Sequence, residues 1–194
     1  MRALLVPVKS FADAKVRLSD VLSAAERKEL ARQLAEGVLA AAGELAPFVV
    51  CEDPAVAGWA ESRGAGVLWN PGVGLSRAVN AGVAELAARH FTSAVVAHSD
   101  LARPEGIDTI ALEGAVVLVP DLREDGTNVA CVPTAAGFRF SYGAGSFDRH
   151  RREAGRLGLP CVVVHDRRLA ADIDVPEDLQ LLPVRPVALS AERS

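Results

Sequence analysis

Seven short apolar runs punctuate the chain: Ala3–Val8, Phe48–Cys51, Val67–Trp69, Ala94–Ala97, Ala115–Val119, Asn128–Val132 and Cys161–Val164. They are rich in β-branched residues and predict strands. Several are apolar throughout instead of alternating, the pattern of strands covered on both faces. Between them the period changes to that of helices. Leu30, Leu34, Val38, Ala41 and Leu45 recur at helical spacing and predict a helix over 24–45, with Ser23 and Glu26 as a capping box at its start. Leu75, Val79, Val83 and Leu86 give one apolar face to a second helix over 75–88, and a third is expected from Ser146 through a basic stretch to Leu157. Strands alternating with helices imply an α/β fold with a mostly parallel sheet and helices on both faces. No repeat, low-complexity block or linker interrupts the pattern, so one domain is expected over 1–182. The remaining tail, 183–194, carries two prolines and a polar end and is expected at the surface.

Composition narrows the partners. Half of the 194 residues are hydrophobic, enough for one substantial core. The formal net charge of −4 argues against a nucleic-acid coat, which needs clustered positive charge, but leaves room for a small anionic substrate met by a few local cations. Lys9 breaks the first apolar run, and no stretch reaches the ~18–20 apolar residues of a membrane span or shows a signal-peptide pattern. A soluble, cytoplasmic protein is expected, with no membrane partner. Cys51, Cys131 and Cys161 each adjoin an apolar run without disulfide or zinc spacing, and read as small buried residues in a reducing compartment.

Ligands of open α/β sheets collect beyond the carboxyl ends of the strands, so the residues after each run carry the candidate chemistry. The first run leads into SFADAKVRLS, which offers Lys9, Lys15 and Arg17 to phosphate charge, or makes an ordinary solvated loop. The fourth releases Asp100, and the late segment DIDVPEDL holds Asp172 and Asp174 on one face of an extended stretch. Carboxylates so placed suit a hard cation such as Mg²⁺. Alternatively, Asp100 caps a helix before LARPEG, and Asp174 caps one beginning at Pro176. The segment 140–152, FSYGAGSFDRHRR, joins glycines that permit close backbone approach to a helix start whose free N–H groups suit a phosphate; Asp125-Gly-Thr-Asn128 adds further donors. There is neither a GxGxxG turn nor a GxxxxGK[ST] loop. His98, Ser99 and Asp100 cannot form a hydrolytic relay, because neighbours in an extended strand point to opposite faces.

Five ordered motifs, VPVKSFADAKVRLS, AHSDLARP, PDLREDGTNVA, FRFSYGAGSFDRHRREA and DIDVPEDL, together resemble the CofC/FbiD nucleotidyltransferases over nearly the whole chain, to about Leu182. The resemblance implies a single-domain, Rossmann-like (GT-A-like) nucleotidyltransferase fold. It implies a guanylyltransferase that uses GTP and Mg²⁺ to join GMP to a small phosphorylated acid, with release of pyrophosphate, in coenzyme F(420) biosynthesis. The acid is 2-phospho-L-lactate, phosphoenolpyruvate or 3-phosphoglycerate in different members, and the Ala- and Arg-rich composition leans towards phosphoenolpyruvate. By the same resemblance, Asp100 and Asp174 match the metal aspartates, and Lys9, Lys15 and Arg17 the loop facing the nucleotide phosphates. Thr127, Gly143 and Ser146 match the residues that hold the acid. Gly74, Leu75, Ser76 and Asn80, in GLSRAVN, match a nucleoside-facing turn and helix, with Ser76 where Asn is common. HSDLAR departs from the family's GDLP pattern: His98 and Ser99 replace smaller residues and Ala102 replaces Pro. A downstream transferase of the pathway is an implied partner, and a homodimer is compatible with the sequence. Another nucleotidyltransferase of the same fold, or a catalytically silent nucleotide-binding regulatory protein, remains an alternative.

Overall fold

In the computed structural model, which describes residues 1–183, each predicted run becomes a strand: β1 (Arg2–Pro7), β2 (Ala46–Cys51), β3 (Gly66–Trp69), β4 (Ser93–Ala97), β5 (Val116–Pro120), β6 (Thr127–Pro133) and β7 (Cys161–Val163). They form one sheet in the order β3-β2-β1-β4-β6-β5-β7. β6 runs antiparallel to both β4 and β5, and every other pair is parallel. The α-helices among the described residues are α1 (Ala24–Ala40), α2 (Pro54–Ser62), α3 (Leu75–Ala88) and α4 (Ser146–Arg156). Of the expected tail, all but Pro183 lies outside the described residues.

Alternate residues of each central strand enter two different cores, as the pleat requires. Leu4, Val6, Val49, Val95, Val117 and Val129 meet Ala35 and Val38 of α1 and Val56 and Ala60 of α2. Leu5, Phe48, Val50, Val96, Leu118 and Ala130 meet Val79, Val83 and Leu86 of α3 and Phe147 and Ala154 of α4. Helices therefore cover both faces, and this is why the strands lack a polar face. Gly82 brings α3 close to the sheet, since a Cβ there would lie 3.0 Å from a methyl carbon of Leu5.

Three expectations need correction. α1 ends at Ala40, not Leu45, because Gly43 turns the chain at φ 54° and the last residues bond locally, Leu45 N–H to the Ala42 carbonyl at 2.8 Å. α2 had no counterpart in the hydrophobic pattern. Its signal was at its start, where Asp53 accepts the Ala55 N–H at 2.8 Å and Pro54 takes the first helical position. Cys51 and Cys131 are buried, but Cys161 is exposed, because β7 pairs only with β5 at the edge of the sheet. No helix among the described residues is long and apolar enough to cross a membrane.

Candidate active site

From the central β1 the chain builds β2 and β3 on one side and β4 on the other, so the sheet order reverses between β1 and β4. Crevices form at such points beyond the strand ends. Here a cavity of about 620 Å³ opens, lined by Lys9, Ser10 and Lys15 after β1, Glu52 after β2, Gly74 and Leu75 at the start of α3, and His98 to Asp100 after β4. Its size suits a nucleotide.

A small third core draws the distant acidic and basic segments to this edge. Leu18 and Leu22 of the N-terminal loop pack with Leu30 and Leu34 of α1, Ala102, Ala171 and Ile173. The stretch after β4 then pairs with the late segment: Ala102 N–H bonds the Ala171 carbonyl at 2.8 Å, and Ile173 N–H bonds that of Asp100 at 3.0 Å. Asn128, 2% exposed, secures the same segment by donating to the Leu169 carbonyl at 3.3 Å and to Asp172 Oδ1 at 3.2 Å. Asp172 thereby comes near Asp100, and Asp174 reaches the same edge through Lys15.

Lys15 answers that negative charge. Its Nζ donates to Asp100 Oδ2 and to the Ile173 carbonyl, each at 2.5 Å, and lies 3.9 Å from Asp174 Oδ1. Its backbone is left-handed, φ 57°, a conformation that costs free energy and is found mostly where geometry serves a site. Arg17 reaches Asp174 Oδ2 from the exposed side at 2.7 Å. Lys9 lines the cavity with no ion-pair partner among the described residues.

Burial pushes the Asp100 carboxyl up, yet the ammonium of Lys15, then His98, outweigh it and hold it below the usual carboxylate range. Asp172 goes the other way, raised first by burial and then by Asp100. Asp100 is no helix cap, because the next helical turn begins only at Ile107. Nor is Asp174: Asp178 accepts the N–H groups of Asp174 and Val175, each at 2.8 Å, ahead of the turn Pro176–Leu181.

No group of three or more His, Cys, Asp or Glu side chains is gathered for a metal among the described residues. A hard cation that keeps its waters and shares substrate phosphates needs only one or two carboxylates. Asp100 Oδ1 fits that need, for it is buried with no hydrogen-bond partner. An acceptor left so is costly unless a ligand completes it. Asp100 and Asp174 are thus a fitting pair for Mg²⁺, with Lys15 as the cation now between them.

The second group of expected residues lies apart from this cavity. Thr127 and Ser146 are 1% and 2% exposed, and Gly143 turns the neighbouring loop at φ 109°. The expected phosphate site at the start of α4 is not open. Gly145 N–H bonds Asp125 Oδ1 at 3.0 Å, Ser146 N–H the Gly143 carbonyl at 3.0 Å, and Phe147 N–H the Asp125 carbonyl at 3.1 Å. Arg149 closes over the loop, donating to the carbonyls of Ser141, Gly143 and Ala144.

Of the four residues expected at the nucleoside, Gly74 and Leu75 line the cavity, but Ser76 and Asn80 do not. Ser76 Oγ accepts the Tyr142 N–H at 2.9 Å, and the Asn80 amide bonds both the N–H (2.8 Å) and the carbonyl (3.0 Å) of Phe140. Both side chains tie the glycine loop to α3. Asn80→Ala should therefore cost about 1–3 kcal/mol, the scale of stranding buried partners, and lower Tm while leaving the ratio of turnover with GTP to turnover with ATP as it is in the wild type. Thermal melts and parallel assays with both nucleotides check this; a changed ratio at unchanged Tm would restore a base-reading role.

The residues missed by sequence reasoning are supports: Asn128, Asp125 and Asp178. The partners of Asp125 and Asn128 lie in distant segments that only the fold brings together, whereas Asp178 accepts from Asp174 and Val175 within its own motif.

The same architecture occurs in a crystal structure from Desulfovibrio desulfuricans G20 named as a nucleotide-diphospho-sugar transferase, with TM-score 0.73 at 14% identity over 93% of this chain and 85% of that one. The frame is a single-domain α/β, GT-A-like one, and with the family match it is that of a nucleotidyltransferase, an enzyme that transfers a nucleotidyl group. Residues 1–185 match the model of the family "Guanylyl transferase CofC like". The chain belongs to that family. It is 34% identical to the phosphoenolpyruvate guanylyltransferase of Sphaerobacter thermophilus, over 98% of this chain and 97% of that protein. It is 32% identical to the 3-phospho-D-glycerate guanylyltransferase of Phenylobacterium zucineum, over 92% and 88%.

Proposed function

We propose that this protein transfers GMP from GTP to the phosphate of a small phosphorylated acid, phosphoenolpyruvate first among the candidates, for coenzyme F(420) biosynthesis. The observation that carries this reading is the paired Asp100 and Asp174, bridged by Lys15, at the rim of a nucleotide-sized cavity at the sheet's switch point. A phosphate oxygen of the acid attacks the α-phosphorus of GTP. The bond from that phosphorus to the bridging oxygen breaks, and pyrophosphate leaves with the electron pair. The attacking phosphate is anionic at neutral pH, so no general base is needed. Mg²⁺ held by Asp100 and Asp174 supplies charge neutralisation on the phosphate oxygens when bound. Lys9, Lys15 and Arg17 steady the departing pyrophosphate, whose catalysis is mainly electrostatic and positional. Gly74 and Leu75 face the nucleoside. Thr127, Gly143 and Ser146 hold the acid once the glycine loop moves to admit it. The substrates are cytoplasmic metabolites, and the labile diphosphate product passes to a downstream transferase.

Pyrophosphate release is the test. It should require GTP, a divalent cation and a phosphorylated three-carbon acid together, with phosphoenolpyruvate, 3-phosphoglycerate and 2-phospho-L-lactate compared in separate reactions. Equal release with unphosphorylated lactate would sink the mechanism, because the acid's phosphate is the nucleophile. Nucleotide binding without release for any acid would favour a silent binding protein.

A further inference from the structure

His150 is wholly buried on α4, and both of its ring nitrogens are engaged. Nε2 lies 2.9 Å from the backbone nitrogen of Ser141. A backbone N–H can only donate, so Nε2 accepts and carries no proton. Burial foremost, then Arg149, lowers the ring's pKa to about 4, so at pH 7 it is neutral and its one proton is on Nδ1. Nδ1 is 2.9 Å from Thr127 Oγ1; the ring therefore donates and the hydroxyl accepts. The hydroxyl's own proton finds no acceptor among the described residues, although Thr127 is 1% exposed.

One imidazole thus links the elements that carry the proposed acid site. It bonds Thr127 directly and holds the loop of Gly143 through Ser141. It also stands one helical turn beyond Ser146, on the same buried face of α4. The ring packs against Phe138, Phe140 and Tyr142 as well, which fixes its plane. A histidine serving only to fill the core has no need to leave a buried hydroxyl with an unspent proton.

Resting on the reaction proposed above, we infer that His150 is a positioning residue of the acid pocket: it turns the Thr127 hydroxyl into a donor aimed at the phosphorylated acid and holds the glycine loop over it. The ring neither touches the acid nor exchanges a proton in the reaction.

The test compares KM values for GTP and phosphoenolpyruvate in the wild type, His150→Phe, His150→Asn, Thr127→Val and the double variant His150→Phe/Thr127→Val. His150→Phe should raise the KM for the acid about tenfold, the scale of one buried hydrogen bond, and leave that for GTP within about twofold. His150→Asn keeps an N–H near the Nδ1 position and should recover most of that loss. In the double variant the His150 change should add little to Thr127→Val, since it acts through that hydroxyl. Equal rises in both KM values, or effects that add fully, would overturn the inference. A measurement on the unaltered protein guards against misfolded variants: ¹⁵N NMR of labelled histidine at pH 7 should show the proton of His150 on Nδ1, shifting with phosphoenolpyruvate. A proton on Nε2, or no shift, rejects the role. Should the wild type release no pyrophosphate with any acid, the reaction reading fails by itself, and this titration still decides the pocket.

Discussion

Asp100→Asn should leave a folded protein whose nucleotidyl transfer is slower by about 100-fold or more, the loss seen when one electrostatic partner of a transition state is removed. The substitution keeps volume and removes charge. Asp100 begins no helix, so loss of a cap does not enter the comparison. What changes is the carboxylate that meets Lys15 at 2.5 Å and presents a buried, unpartnered Oδ1. The same change should flatten acid sensitivity. The folded-state pKa of Asp100 lies below its ordinary value, so its contribution to stability is fully present above the unfolded pKa, about 4, and disappears as pH falls through the folded one. Melts between pH 3 and 7 should show wild type losing that increment and the variant lacking it throughout. Activity within a few-fold of wild type would remove Asp100 from the site.

Lys15→Met is expected to be nearly as damaging to turnover, roughly 100-fold, and to carry an unusual metal signature. Lys15 keeps its left-handed backbone cost in both proteins, so the change isolates the ammonium. Without it, Asp100 is left with the negative charges of Asp172 and Asp174 nearby, and among the described residues Arg17 is the Lys or Arg side chain still paired to Asp174. Removing one partner of a fully buried pair costs about 3–5 kcal/mol. The Asp100 side chain keeps 22% exposure, which brings the expected loss nearer 2–3 kcal/mol, roughly 4–12 °C in Tm for a chain of this length. Mg²⁺ should then stabilise the variant more than the wild type, because no ammonium competes for the carboxylates. Melts with and without Mg²⁺ test this: equal gains in both proteins would mean that Lys15 and the cation do not share a site.

The seven strands were legible because burial on both faces leaves a nearly polar-free run, and few other structures ask for that. α3 was legible to the residue, since its apolar stripe and its glycine start agree. α2 was not, because nine residues with Gly58 inside carry too little periodicity, and its evidence was a cap and not a stripe. Asp100, Asp174, Lys9, Lys15 and Arg17 could be singled out from position after a strand and from the motifs they occupy. That Lys15 bridges the two aspartates could not, for it depends on Leu18 and Ile173 meeting in a core formed by residues more than 150 apart.

The chain's order of apolar runs determines the sheet, its two covered faces and the edge at which chemistry gathers, because those follow from local period and from the rule that strand ends form crevices. Which polar atoms face that crevice was decided only by tertiary contacts. Ser76 and Asn80 share a helix with cavity-lining Leu75, yet a turn of α3 directs them to the backbone of Phe140 and Tyr142. His150, one polar residue in a basic run, becomes a buried neutral ring because α4 presses it between β6 and the glycine loop. A side chain's type limits the bonds it can make; the partner that claims them is set by segments far away in the chain, and no local pattern records that choice.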